Sequence, residues 1–295
     1  MPVATIDGLR VSYLVQGSGP HLLMLAPGGF DSTISRWSAG GVWKEMDALN
    51  VLSRHFTVVA YDRREAGVSG GRVEVLDWAA FARQGEALLD HLGVARAWLI
   101  GGCMGVSVAL AMATRCPERC IGLLLHWPVG GYRWMLKGRG FFGRHIAFVR
   151  EHGLEAAAER ARATTNFWHD PEAGPWAAPI RSDDAFAQAY VKQDLTKYLQ
   201  IVAASRDAMF SDTMPSGASG EELMAITTPA LVLPGADASH ATSAAWALAE
   251  LMPAAEFWNV LPPHQSAPAV LERILEFTNA VERSAHAASA AVGTA

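Results

Sequence analysis

The stretch Leu99-Ile-Gly-Gly-Cys103-Met-Gly105-Val-Ser-Val108 runs from an apolar segment straight into a helix-length one, and its reading decides the fold. Residues 96–100 are short enough to be a strand buried on both faces, and residues 104–115 carry a helical pattern that stops before Pro117. A residue at such a bend sits in a strained backbone conformation. Its neighbours two positions away have to be tiny for strand and helix to approach. Gly101 and Gly105 meet that demand on either side of Cys103. The Cys103 side chain then projects above the sheet, while the N–H of Met104 points at any anion held there. Beside an imidazole and at a helix N-terminus, a cysteine titrates below the free thiol, so a thiolate is available near neutral pH. The bland reading, a small buried apolar residue, is the usual one for an isolated cysteine. The glycine frame here favours the nucleophile.

Working outward, residues 21–26, 56–61, 96–100 and 121–126 are short apolar runs separated by helix-length amphipathic segments at 42–54 and 76–92, the second closed by Gly93. This alternation predicts a parallel sheet with crossover helices. Before it, residues 3–6 and 10–15 alternate as a hairpin around Asp7-Gly8. The rhythm breaks between residues 129 and 225, where Ala- and Arg-rich stretches hold no buried-strand run and read as a helical insertion. It resumes with a strand at 230–233, a helix at 242–251, a strand near 256–260 and a helix from 268 to about 281. The Ala-rich end, residues 285–295, lacks apolar periodicity and is expected to be disordered. The division expected is a core of residues 1–128 and 226–284 around an inserted unit at 129–225.

The 295 residues are 51% hydrophobic and 18% charged, yet no apolar run approaches the roughly 20 residues of a membrane helix. A net charge of −5 gives no basic field for nucleic acid. A small-molecule substrate is the partner expected, with no membrane and a homodimer left open. The start has neither a basic nor a continuous apolar leader, and three unevenly placed cysteines suit a reducing compartment, so the cytoplasm is expected. Cys116 and Cys120 flank Pro117-Glu-Arg and read as packing residues. No cofactor and no metal is expected; a zinc site from Asp237, His240 and His264 matches no common ligand spacing.

The Gly-x-Cys-x-Gly bend resembles the nucleophile elbow of the α/β-hydrolase superfamily, and the likeness runs along nearly the whole chain. Ala26-Pro-Gly-Gly-Phe-Asp stands where relatives carry the turn that supplies a second oxyanion donor, which the resemblance assigns to Gly29 or Phe30 beside Met104. Tyr61-Asp-Arg-Arg-Glu-Ala-Gly-Val-Ser-Gly-Gly is similar to a loop that shapes the floor of the site in these enzymes, with Glu65 in place of the usual glycine. The resemblance implies a mostly parallel eight-stranded sheet with a helical cap between strands six and seven. It also implies a triad in the order nucleophile, acid, histidine, which Cys103, Asp237 and His264 follow. Asp237 sits one residue early relative to many relatives, and a turn aspartate capping the helix from Thr242 is its competing reading. His240, three residues on, would then contact substrate or cap that helix. His126 and Trp127 end the sixth strand and are candidates for the site floor or for the core.

The cap segment carries Tyr132, Trp134, Phe141, Phe142, Phe167, Trp168, Trp176 and Tyr198, which would roof an apolar pocket or pack on one another. Its basic run, Arg133, Lys137, Arg139, Arg144 and Arg150, would hold a carboxylate or phosphate or form a solvated face. The activity expected is hydrolysis of an ester, lactone, thioester or 1,3-dicarbonyl carbon–carbon bond through an acyl-enzyme on Cys103. Acyl transfer from the same intermediate, and a non-catalytic small-molecule binder on the same fold, are the alternatives.

Overall fold

The computed structural model describes residues 1–211 and 213–292, with side chains to residue 287. Its strands are β1 (Val3–Ile6), β2 (Leu9–Gln16), β3 (His21–Leu25), β4 (Thr57–Tyr61), β5 (Ala97–Gly102), β6 (Cys120–His126), β7 (Ala230–Leu233) and β8 (Ala255–Phe257). They join in one sheet in the order β1-β2-β4-β3-β5-β6-β7-β8. The β1-β2 hairpin pairs antiparallel and lies antiparallel to β4; every later pairing is parallel. Asp7 and Gly8, both at positive φ, form the hairpin turn.

The parallel strands are buried on both faces, so their alternation splits the core in two. Leu23, Leu25, Val59, Leu99, Leu123 and Val232 face α3 (Trp78–His91) and α4 (Met104–Arg115). Leu22, Met24, Val58, Ile100, Leu124 and Leu231 face the opposite layer. That layer holds α1 (Gly41–Met46), α2 (Ala48–Leu52) and α11 (Ala267–Val292), whereas α10 (Thr242–Leu251) packs through Ala245 and Leu248 on the side of α3 and α4. The single helix expected at 42–54 is two, because Asp47 at φ 51° interrupts it.

Between β6 and β7 the described residues form only helices: α5 (Tyr132–Ala163, broken at Gly153), α6 (Ala177–Ser182), α7 (Asp184–Val191), α8 (Leu195–Met209) and α9 (Gly220–Ala225), with a 3-10 turn at Pro171–Ala173. The chain's end corrects an expectation. The helix expected to stop near residue 281 continues to Val292, through most of the segment expected to be disordered. Alanine needs no apolar stripe to stay helical, and Ser284 and His286 add bonds to the carbonyls of Ala280 and Glu282. Residues 293–295 lie outside the described residues. No helix among the described residues is long and apolar enough to cross a membrane.

Candidate active site

At the end of β5 the backbone turns into α4 through Cys103, held at φ 54°, ψ −122°. That conformation is costly for any residue with a Cβ and survives only where its surroundings enforce it. The enforcement is visible at the two glycines. A Cβ on Gly101 would lie 2.6 Å from the backbone of Gly105, and one on Gly105 would collide with the Leu25 carbonyl oxygen. The Cys103 N–H is tied to the His126 carbonyl at 3.1 Å, which fixes the bend against β6.

The sulfur meets two backbone donors, the N–H groups of Met104 and Gly28. Met104 is the donor expected. On the other side the nearer group is Gly28, not Gly29 or Phe30. Gly28 (φ 109°) opens a 3-10 turn at Gly29–Asp31. A Cβ on Gly29 would run into the Trp168 indole, and the Phe30 ring is buried against Phe167 at 5.1 Å.

The histidine beside the sulfur is His240. Its Nδ1 lies 2.8 Å from Asp237 Oδ2, while Asp237 Oδ1 accepts the N–H groups of Ser239 (2.7 Å) and His240 (3.0 Å). The aspartate therefore closes a local turn and holds the ring at once, while the helix from Thr242 has no side-chain cap from it. Gly235 is needed for this: a Cβ there would strike His240. The other ring nitrogen, Nε2, is buried without a fully formed hydrogen bond, yet it couples to the Cys103 sulfur. A contact looser than a well-formed bond is common in unliganded thiol–imidazole pairs.

Burial alone would push the Cys103 thiol up, but His240 and the two backbone donors more than reverse this and hold it below the ordinary thiol range. Burial likewise disfavours the His240 cation, and the sulfur and Asp237 overcome it, raising the imidazole to about 9. Both shifts favour the thiolate–imidazolium form over the neutral pair, and the titrations belong to the pair. Turnover is expected to be bell-shaped in pH. The acid limb is protonation of the sulfur, and the alkaline limb, near 9, is loss of the His240 proton. A kcat profile across pH 5 to 10 checks this; a flat profile through 9 would remove His240 as the proton donor.

His264 is not in this site. It is the last residue of an exposed 3-10 turn at Pro262–His264, and its neighbour Gln265 is the side chain that turns inward. Gln265 accepts from Trp127 Nε1 at 2.7 Å and donates to the carbonyls of Pro234 (2.8 Å) and Val260 (2.7 Å), tying together the ends of β6, β7 and β8. With that amide satisfied inside, the adjacent imidazole is left facing solvent. The signal for His240 was in the sequence, since Asp-x-x-His within a tight turn places both side chains together. A resemblance that puts the histidine after the last strand points elsewhere.

The sulfur and His240 open on a pocket of about 220 Å³ lined by Pro27, Arg36, Val42, Trp43, His126 and Trp127 among others. His126 and Trp127 both line this pocket. His126 is 2% exposed, burial lowers it to about 3, and it stays neutral through the working range. Trp43 meets it edge-on at 4.5 Å and Trp127 stacks on it at 5.0 Å. Trp127 itself is at φ 55°.

No residue of the inserted helices lines this pocket. Their rings fill the space over Gly29 instead. Phe142 and Phe167 pack at 5.1 Å, Phe141 and Trp168 at 5.0 Å, and Trp134 and Phe210 at 5.3 Å. Tyr132 is exposed, and Trp176 stacks toward Tyr198 at 5.6 Å. Most of the basic run is a solvated face, with Arg139 paired to Asp207 at 3.0 Å. Cys116 and Cys120 are buried, their thiols spent on the carbonyls of Met112 and Cys116.

The Asp62 loop contributes none of the described residues that line this pocket and is held by its own hydrogen bonds. Its carboxylate accepts from Ile34 N–H at 2.8 Å, and Ser69 donates to its carbonyl at 2.7 Å. Glu65 keeps the positive φ (61°) of the glycine it replaces, held by two 3.0 Å contacts from Arg64 Nε to its buried carboxylate.

Comparisons with known proteins identify the family and the fold. A match to the family described as α/β hydrolase fold covers residues 21–212. The dihydrolipoyllysine-residue acetyltransferase component of the acetoin cleaving system of Cupriavidus necator is 30% identical over 127 residues, 43% of this chain and 32% of that protein. The chain therefore spans only about a third of that relative's length. Among solved structures, the enol-lactonase of Burkholderia xenovorans LB400 is 22% identical over 96% of this chain and 98% of its own, with a TM-score of 0.57. A thermophilic esterase of Thermogutta terrifontis is 23% identical over 95% and 98%, with a TM-score of 0.60. At these identities the likeness is one of fold.

Proposed function

Because the chain belongs to the α/β hydrolase fold family, we propose that it is a cysteine hydrolase of small acyl substrates, with Cys103 as nucleophile, His240 as general acid and base, and Asp237 orienting the imidazole. One observation carries the reading: a strained cysteine at a helix N-terminus is coupled to a histidine that a carboxylate holds from behind. The chemistry follows from that arrangement. The Cys103 thiolate attacks the acyl carbon, and the carbonyl oxygen takes the negative charge between the Met104 and Gly28 N–H groups. The C–X bond breaks as the His240 imidazolium gives its proton to the leaving oxygen or sulfur. Neutral His240 then takes a proton from water, hydroxide attacks the thioester, and the sulfur leaves as thiolate.

The pocket, lined largely by aromatic and apolar groups, suits an ester, lactone or thioester with a compact acyl part, and His126 and Trp127 form its wall. Residues 129–225 serve as a cap on the core of residues 1–128 and 226–284, acting through packing over Gly29. The fold neighbours named as an enol-lactonase and an esterase support hydrolysis. The acetyltransferase component among the relatives makes acyl transfer the second reading. Three unpaired thiols favour the cytoplasm.

Intact-mass measurement after exposure to a panel of p-nitrophenyl esters and short-chain thioesters tests the proposal. One acyl group per chain is expected, absent in Cys103→Ala; labelling that persists in that variant would end the reading. Offering a primary alcohol beside water and measuring ester against acid separates transfer from hydrolysis.

A further inference from the structure

Arg63 is 3% exposed, and no carboxylate pairs with its guanidinium among the described residues; the neighbouring Glu65 is taken by Arg64. Its Nη2 donates to the Gly29 carbonyl, its face lies 4.2 Å over the Phe81 ring, and Nε and Nη1 have no partner. A buried cation with no carboxylate in contact, balanced only at longer range by Glu65, is costly for a fold to hold, so it persists where its field is used. The nearest consumer is the turn that carries the Gly28 donor, one residue from the carbonyl Arg63 grips.

We propose that Arg63 is a positioning residue for the oxyanion turn and a fixed positive charge beneath the elbow, favouring negative charge on the Cys103 sulfur and on the acyl oxygen. Two features of the site support this. The Gly28-Gly29 turn carries both glycines at positive φ and gains a rigid anchor from the guanidinium. Burial lowers the Arg63 cation, and Tyr61, Glu65 and then the Cys103 sulfur favour it. An arginine, which stays protonated in such a place, suits this role where a lysine would shed its proton. The proposal rests on the reading of Cys103 as nucleophile.

The test uses the full chain with Arg63→Met, which keeps the volume and removes the charge, and Arg63→Gln, which keeps a donor for Gly29 without charge. Three measurements are made: the pH profile of Cys103 alkylation by iodoacetamide, kcat and KM with p-nitrophenyl acetate, and the thermal midpoint. In both variants the alkylation profile is expected to move to higher pH. The kcat is expected to fall ten- to a hundredfold, KM to stay within about threefold, and the midpoint to hold or rise, since an unpaired buried charge has been removed. Arg63→Lys, whose amine would shed its proton in that place, is expected to follow the two neutral variants. An unchanged alkylation profile in whichever of the two neutral variants folds, or a lowered midpoint with that profile intact, would overturn the proposal and leave Arg63 a packing residue. Alkylation needs no acyl substrate, so this result is independent of the acyl-adduct test; an adduct missing from the wild-type protein would instead count against Cys103 itself.

Discussion

His240→Ala is expected to lower kcat for an activated ester by about 10²- to 10⁴-fold, the contribution of one positioned general acid/base, whereas His264→Ala changes it by less than about twofold, as surface substitutions do. The contrast follows from placement. His240 is coupled to the Cys103 sulfur through Nε2 and to Asp237 through Nδ1, while His264 is exposed beside an inward-turned Gln265. Removing His240 also removes the largest influence that lowers the thiol, so alkylation of Cys103 at pH 7 slows in parallel. The decisive measurement is kcat for the two variants side by side. Equal loss in both, or loss only in His264→Ala, would return the base to the loop after the last strand.

Gly105→Ala is expected to destabilise the chain by about 3 kcal/mol, the upper part of the range for overpacking a dense interior, and to abolish acylation of Cys103. A Cβ at this position has no room to move, because the atom it meets is a strand carbonyl oxygen, that of Leu25 in β3. Relief requires α4 to lift from the sheet, which carries the Met104 N–H and the sulfur with it. The urea midpoint and the alkylation rate at Cys103 report the two consequences. A wild-type midpoint with wild-type labelling would show that the bend is not held in the way its glycines suggest.

The architecture was legible because it is written in short-range chemistry. Doubly apolar runs at β3, β4, β5, β6 and β7, the Gly-x-Cys-x-Gly spacing and the Asp7-Gly8 turn each specify local backbone with little help from distant residues. The Ala-rich end escaped the same logic because propensity, and not an apolar stripe, keeps it helical. The aromatic residues of the inserted helices were legible as a group but not as to what they cover.

The sequence by itself determined the sheet and the elbow at Cys103, with Met104 poised behind it, since each rests on what neighbouring residues can sterically do. The tertiary structure added which histidine stands beside the sulfur, which backbone N–H faces it and which residues line the pocket. Gln265 and His264 are adjacent, and which one turns inward depends on three hydrogen-bond partners drawn from other elements, Trp127, Pro234 and Val260. Beside the Gly28 donor, Gly29 has to stay without a side chain because Trp168, well over a hundred residues away, occupies the space next to it. Such choices are made by long-range packing, which sequence spacing does not encode.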